Sequence, residues 1–182
     1  VNITPTGLNS NIGDLEISST SVSGRLHVVT GIFSAQGYRF TDNAATVTAS
    51  TWTSPTTTFV SGNQRAEIGI SGNTLYVCPS DASYQVPTIY KSTDGGDNWA
   101  ATSAQPASGW ASGQAWYDLS VGINPVNPNE CIVGGLDCHK TSDGGATWTK
   151  ISTWVGTTGQ YVHADQHDIQ WWDGGTKLMF AC

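Results

Sequence analysis

Between residues 163 and 168 the chain reads His163-Ala164-Asp165-Gln166-His167-Asp168, two imidazoles and two carboxylates in one short run. In an extended segment His163, Asp165 and His167 fall on one face, each step of two residues spanning roughly 6.5–7 Å. Such a set suits ligand contact, a proton relay or a divalent metal. It equally suits a histidine–aspartate hydrogen-bond network that fixes the entry to a strand. Ligands on a flat strand converge poorly on one ion, so neither a metal nor a cofactor is expected.

Four further acids recur in a pattern of acid, apolar, any, apolar. They begin Asp14-Leu15-Glu16-Ile17, Glu67-Ile68-Gly69-Ile70, Asp118-Leu119-Ser120-Val121 and Asp168-Ile169-Gln170-Trp171, with the acids 53, 51 and 50 residues apart. If these strands line an axis, Asp14, Glu67, Asp118 and Asp168 form an arc at one mouth of it. Clustered carboxylates repel, so some must be paired, hydrogen-bonded or protonated. Glycoside hydrolysis is one use, since it needs two acids roughly 5–10 Å apart. The alternative is that each acid caps the backbone of its own repeat. Asp165 and Asp118 are the candidate catalytic pair, with His163, His167, Glu67, Asp14 and Asp168 as candidate ligand contacts.

Aromatic residues supply a second surface. Trp110, Trp116 and Tyr117 lie in or beside a long connection, and Tyr161, Trp171 and Trp172 follow one repeat later. Indole faces stack on sugar C–H groups while nearby acids take the hydroxyls; they also pack between layers. Trp110 sits among Ala107, Ser108, Gly109, Ala111 and Ser112, which predicts an exposed loop position; Trp116 is the second candidate contact.

The elements that must position these residues are short strands. A second strand follows each acid-led one, at Leu26–Val29, Leu75–Cys78, Cys131–Val133 and Leu178–Ala181. Third strands fall at Gly37–Phe40, Thr88–Lys91 and Asp137–Lys140, and fourth strands at Ala49–Trp52 and Thr149–Ser152. Four short strands in about 50 residues is the size of a propeller blade. A β-sandwich also has short strands, but a strict period argues against it. The expected fold is all-β: a propeller of four-stranded antiparallel blades, present as about three and a half. The units run 1–12 (last strand of a preceding blade and a linker), 13–63, 64–114, 115–160 and 161–182 (first half of the next blade). The expectation is thus a segment completed by the rest of its own propeller beyond both ends, or by copies of itself or another subunit.

One turn sets the ruler. Ser92-Thr93-Asp94-Gly95-Gly96-Asp97-Asn98-Trp99 returns as Thr141-Ser142-Asp143-Gly144-Gly145-Ala146-Thr147-Trp148, the aspartates 49 residues apart. The carboxylate caps backbone amides, the hydroxyl assists, the glycine takes a backbone angle others resist, and the tryptophan pins the turn. Asp42, 52 residues before Asp94, marks a decayed copy without the glycine and tryptophan.

Both turns resemble the Asp-box, or BNR repeat, of sialidases, xyloglucanase-type glycoside hydrolases, sortilin-type receptor domains and secreted bacterial BNR-repeat proteins. In those families the box lies on the blade periphery and is structural. The resemblance therefore implies structural roles for Ser92, Asp94, Gly96 and Trp99, and for Thr141, Asp143, Gly145 and Trp148. Val162–Ile169 is similar to a segment that opens an innermost strand in the xyloglucanase-like group. The sialidase arginine triad is not matched, with only Arg25, Arg39 and Arg65 present and no R-I-P element. The sequence diagnostic of the first xyloglucanase aspartate is also missing.

Composition bounds the rest. The 182 residues carry 7 Lys plus Arg against 14 Asp plus Glu, a formal charge of -7, which argues against a nucleic-acid partner. No apolar run is long enough to cross a bilayer as a helix, so membrane insertion is not expected. In Cys131-Ile132-Val133-Gly134-Gly135-Leu136-Asp137-Cys138, a two-residue Gly-Gly hairpin would set Cys131 opposite Cys138. That geometry allows a cross-strand disulfide, and two buried thiols are the alternative. Asn2-Ile3-Thr4 is a glycosylation sequon. The reading is an extracellular or cell-surface propeller directed at carbohydrate, by binding or by hydrolysis, with a glycan or surface protein as partner. Its rivals are a non-enzymatic adhesion or protein-interaction propeller, or a structural segment of a larger surface assembly.

Overall fold

The computed structural model describes residues 3–8, 11–18, 24–59, 64–155 and 160–181. Among the described residues thirteen strands fall into four antiparallel sheets. The first holds β1 (Ile12–Ser18), β2 (Arg25–Thr30) and β3 (Gly37–Thr41). The second holds β4 (Ala66–Ser71), β5 (Thr74–Pro79), β6 (Tyr90–Ser92) and β7 (Ala100–Ala101). The third holds β8 (Ser120–Ile123), β9 (Cys131–Gly134), β10 (Cys138–Thr141) and β11 (Thr149–Lys150), and the last is the hairpin β12 (Asp168–Trp172) with β13 (Lys177–Ala181). Within each sheet the strands lie side by side in chain order. The leading strands of successive sheets neighbour one another, β1 beside β4, β4 beside β8 and β8 beside β12. The sheets are therefore blades set around their innermost strands.

Packing follows from the two-residue period of a strand. In β5, Leu75 and Val77 enter the core between the first and second blades, where Tyr38, Phe40 and Ile68 lie. The alternate residues Tyr76 and Cys78 enter the core between the second and third. β9 divides likewise: Cys131 and Val133 face the second blade, Ile132 faces Ile169 of the hairpin. Innermost strands pass so closely that a Cβ on Gly122 would lie 2.6 Å from the Ile169 carbonyl oxygen. Only glycine fits there.

The repeated turns build the same network twice. The hydroxyl of Ser92 donates to Asp94 Oδ1 (2.8 Å) and accepts from Gly96 N (2.9 Å), while Asp94 accepts from Asn98 N (2.9 Å) and Asn98 Nδ2 (2.8 Å). Thr141, Gly145, Thr147 and Asp143 reproduce these contacts at 2.7–2.9 Å. The two tryptophans differ: Trp99 Nε1 donates to Gly96 O within its turn, whereas Trp148 Nε1 donates across to Ala104 O. In the first blade Asp42 instead forms an ion pair with Arg25 (2.7 Å), whose Nη1 donates to Gly95 O of the second blade's turn.

Two expectations are corrected. The fourth strand at Ala49–Trp52 is reduced to one bridge, Phe40 with Thr53, because the decayed turn leaves through a 3-10 turn at Ala44–Thr46. The second blade's fourth strand, β7, completes the four-stranded blade expected, at residues to which the sequence had assigned no strand. The hairpin between β9 and β10 closes on Gly134 paired with Cys138, leaving residues 135–137 in the loop. Cys131 therefore lies opposite Thr141, not Cys138, and is a buried free thiol. One extra loop residue is enough to shift the register.

Candidate functional site

Strand register sorts the connections to two ends of the blades. Ile12 pairs with Thr30, Ala66 with Pro79, Ser120 with Gly134 and Asp168 with Ala181, so the entries of the innermost strands share one end with the exits of the second strands. The repeated turns, which follow the third strands, lie at the other end. Loops 31–36, 80–89 and 102–119 and the segment 160–167 gather at the first end.

The four acids of the predicted arc meet four different fates. Asp14 accepts from its neighbour Leu15 N (2.7 Å) and from Ile68 N of the second blade (3.0 Å), stitching two innermost strands. Burial raises its pKa against those bonds. Glu67 takes Arg65 Nε (3.0 Å) and Nη2 (2.7 Å) on one oxygen, yet burial and the Asp14 charge push it up to about 8. Asp118 is 0% exposed, and among the described residues no side chain hydrogen-bonds its carboxyl, which is approached instead by the backbone amides of Asp118 and Asp165. Burial raises it to about 7; the Asp165 charge adds to the rise, while nearby backbone amides and Arg65 oppose it. Asp168 is exposed and accepts from Gln170 Nε2 (2.8 Å). Repetition in sequence did not bring repetition of role.

Asp165 comes close enough to Asp118 for their charges to interact, so the candidate catalytic pair is brought together. The extended geometry expected for His163, Asp165 and His167 is not found. Asp165 has φ of +68°, a left-handed conformation that kinks the segment. His163 Nδ1 lies 2.6 Å from Ala164 O, and His167 turns away to set its ring edge against Tyr117, centroids 4.8 Å apart. The described residues contain no group of three or more side chains able to hold a metal.

That ring contact is one link of an aromatic row. Phe33 lies 5.9 Å from Trp116, Trp116 lies 5.4 Å from Tyr117, and Tyr117 meets His167. Trp116 is 42% exposed and Phe33 60% exposed. Phe33 holds φ of +56°, an uncommon conformation for a bulky residue, which keeps the ring out in solvent. Arg65 ties the row to the acids, donating through Nη1 to Tyr117 O (2.6 Å) and through Nη2 to Leu119 O (3.2 Å).

Trp110, expected to be exposed, is 4% exposed. Its loop folds back between the second and third blades, where Ala115 N donates to Tyr84 O and the indole meets His139 edge-on at 6.3 Å. Glycine and serine neighbours gave it a loop's composition but not a loop's exposure.

Sequence reasoning missed Phe33 and Gln36 at this end and Glu16 further along β1. Phe33 stands in Gly31-Ile32-Phe33-Ser34, and an apolar pair between two strands was a usable signal. Glu16 alternates with Asp14 on β1 and reaches a pKa of about 7 through burial and the charges of Asp14 and Asp168. With Asp168 and Trp171 it lines an axial groove of about 220 Å³. Gln36 donates its amide to the carbonyls of Gln64, Arg65 and Ser80 at 2.7–2.9 Å, locking the first blade to the second. Nothing local in the sequence announces that clamp.

No protein-family model and no curated protein matches the sequence. Solved structures do. YCF48 bound to D1 peptide superposes with a TM-score of 0.54 at 14% identity, over 83% of this chain and 46% of that one. YCF48 from Cyanidioschyzon merolae gives 0.56 at 17%, over 92% and 49%. An ancestral GH74 enzyme gives 0.54 at 13%, over 93% and 21%. All are β-propellers. The fold is a β-propeller. The chain spans about half the length of the YCF48 structures and about a fifth of the GH74 enzyme. Identity this low carries the fold alone, so activity is argued from the residues.

Proposed function

We propose that this propeller binds carbohydrate on the end where its loops gather. The observation that carries the reading is the solvent-facing row Phe33–Trp116–Tyr117–His167 beside Arg65, Glu67 and Asp165. Aromatic faces take the apolar face of a pyranose, and ionised or amide-bonded groups beside them take its hydroxyls. Binding is favoured over hydrolysis because Asp118, one of the two acids a glycosidase would need, is sealed from solvent. The repeated turns are read as Asp-boxes that brace the blades at the opposite end. Calorimetric titration with neutral oligosaccharides tests the reading: Trp116→Ala should weaken binding about tenfold. Release of reducing sugar by the protein would replace binding with catalysis, and a blank against a broad glycan panel would remove the reading.

A protein-interaction role is the second reading, favoured by the apolar face of β1, where Leu15 is 50% and Ile17 58% exposed. Equivalent faces of later innermost strands are covered by the preceding blade. We infer that another blade, or a partner's, covers this one, in an extracellular or cell-surface protein. YCF48, about twice as long as this chain, supports the first form, and its complex with D1 peptide is a protein-binding precedent on this fold.

A further inference from the structure

We propose that the turn-bearing end of the second blade holds a separate binding site, for a sugar that carries a carboxylate or sulfate group. A groove of about 530 Å³ runs there along β7, from the Asp94–Trp99 turn to Gly144 of the next blade's turn. That is an ordinary size for a small-ligand site. Its charge comes from Lys91. The ammonium lies beside Gly144, where a Cβ would stand 2.7 Å from Nζ, and both residues line the groove. Lys91 touches two neutral groups, the Tyr76 ring at 5.3 Å and Asn129 Oδ1 at 3.1 Å. Among the described residues no carboxylate pairs with it. Burial lowers its pKa, and no carboxylate charge acts to raise it.

The repeat shows what this lysine lacks. Lys140 holds the same place in the third blade, one residue before the turn's hydroxyl, and its ammonium pairs with Glu130. Glu130 precedes Cys131, the strand partner of Thr141; the matching place before Leu75, the partner of Ser92, holds Thr74. The second blade thus keeps the cation of the pair without its anion. An ammonium has three donors, and Asn129 takes one. A ligand's anionic group completes the arrangement through charge-assisted hydrogen bonds. The remaining wall selects for hydroxyls. Thr93 and Ser103 line it, and the small exposed side chains of Ala100 and Ala101 leave its floor open. Asp94, bonded to Ser92 and Asn98, stands in the same wall, where it repels an anion and accepts from a hydroxyl. The charged group is therefore confined to the Lys91 end, with the sugar ring towards Asp94.

The test titrates a galacturonate disaccharide, a sulfated galactose disaccharide, neutral galactobiose and inorganic sulfate into the whole chain at about pH 7, where the acids are charged. An acidic disaccharide should bind about tenfold tighter than galactobiose or inorganic sulfate, and the tighter acid shows which anionic group the site takes. Lys91→Gln should remove that preference and Lys91→Arg should retain it. Lys140→Gln should change nothing, because that ammonium already has its carboxylate. Ala101→Tyr fills the groove with the charge left in place and should also abolish binding, which keeps the test decisive if Lys91→Gln fails to fold. In NMR spectra of the indole N–H groups, the Trp99 signal should move and the Trp116 signal should not. Equal affinity for acidic and neutral disaccharides overturns the inference, as does inorganic sulfate binding as tightly as the sugars. Equal losses in Lys91→Gln and Lys140→Gln reduce the effect to overall charge and overturn it. A shift at Trp116 in place of Trp99 seats the acid on the aromatic row and overturns it too. None of these results decides the carbohydrate reading of that row, which lies at the opposite end and has its own titration.

Discussion

The Tyr38 hydroxyl of the first blade lies 1.8 Å from where a Cβ on Gly96, in the second blade's turn, would have to stand. Gly96 also has φ of +87°. The turn is thus seated on its neighbour through an atom it lacks, and Trp99 completes the seat by meeting Tyr38 edge-on at 5.2 Å. Tyr38 is itself held by His27 Nδ1 at 2.8 Å.

Gly96→Ala should therefore be costly for two reasons, backbone strain and a collision with a fixed hydroxyl. A loss of about 2–4 kcal/mol in urea denaturation is expected. Tyr38→Phe in the same chain should recover part of that loss, since it removes the colliding atom. No recovery in the double variant would place the cost in the backbone alone.

The two tryptophans of the long loop should separate cleanly. Trp110→Ala empties a buried site in the core shared by the second and third blades, with an expected cost of about 3–5 kcal/mol. Trp116→Ala should change stability by less than about 1 kcal/mol while weakening glycan binding. Thermal melts of the two variants, read beside a binding titration, decide it. The reverse pattern would put the site elsewhere.

Stability should rise as the solution is made mildly acidic. Asp118 and Glu16 have folded-state values of about 7 and Glu67 about 8, all above their ordinary range because of burial. Such groups bind protons more tightly folded than unfolded. The stability they contribute is complete below about pH 4 and is lost as pH climbs through 7 to 8. Asp118→Asn should flatten this slope and stabilise the chain at pH 8 by about 1–3 kcal/mol, less than burial alone would give because the backbone amides and Arg65 offset part of it. Denaturation midpoints measured from pH 5 to 9 check both claims. A slope unchanged in the variant would exonerate Asp118.

The repeated turns should respond in the opposite sense. Hydrogen bonds from the Thr147 hydroxyl and amide and from Thr141 lower Asp143 to about 2, and Asp94 is likewise lowered by Asn98 and Ser92. Their contribution is present above about pH 4 and is lost as pH falls through the folded value. Acid titration below pH 4 followed by Trp99 and Trp148 fluorescence should show the turns loosening before the blade cores. Fluorescence and far-ultraviolet dichroism changing together would show that the turns carry no separate transition.

How much of this was legible depended on how far the determining contacts reach along the chain. The turns at Ser92–Trp99 and Thr141–Trp148 were readable because the bonds that Ser92, Asp94, Thr141 and Asp143 make to shape them close within eight residues. The strands β5 and β9 were readable from apolar runs, and β2 from one broken only by His27, since both of their faces are covered. Trp110 was misplaced because its burial depends on Tyr84 and His139, neither of which its own loop can announce. The Cys131–Cys138 pairing failed on a single loop residue. At the site, Asp118 and Asp165 could be named from the repeat and from its interruption. Phe33, Gln36 and Arg65 act through partners 28 to 83 residues away, and no local pattern encodes that.

The division of β5 has a consequence for how such molecules arise. Its odd-numbered side chains belong to one interface and its even-numbered ones to the next, so no copy of the 50-residue unit owns a complete interior. What is duplicated in the gene is half of two hydrophobic cores. A newly added unit gains its stability only by being clasped between neighbours, and cooperative melting should span blade boundaries. The unit of inheritance and the unit of folding are offset by half a blade.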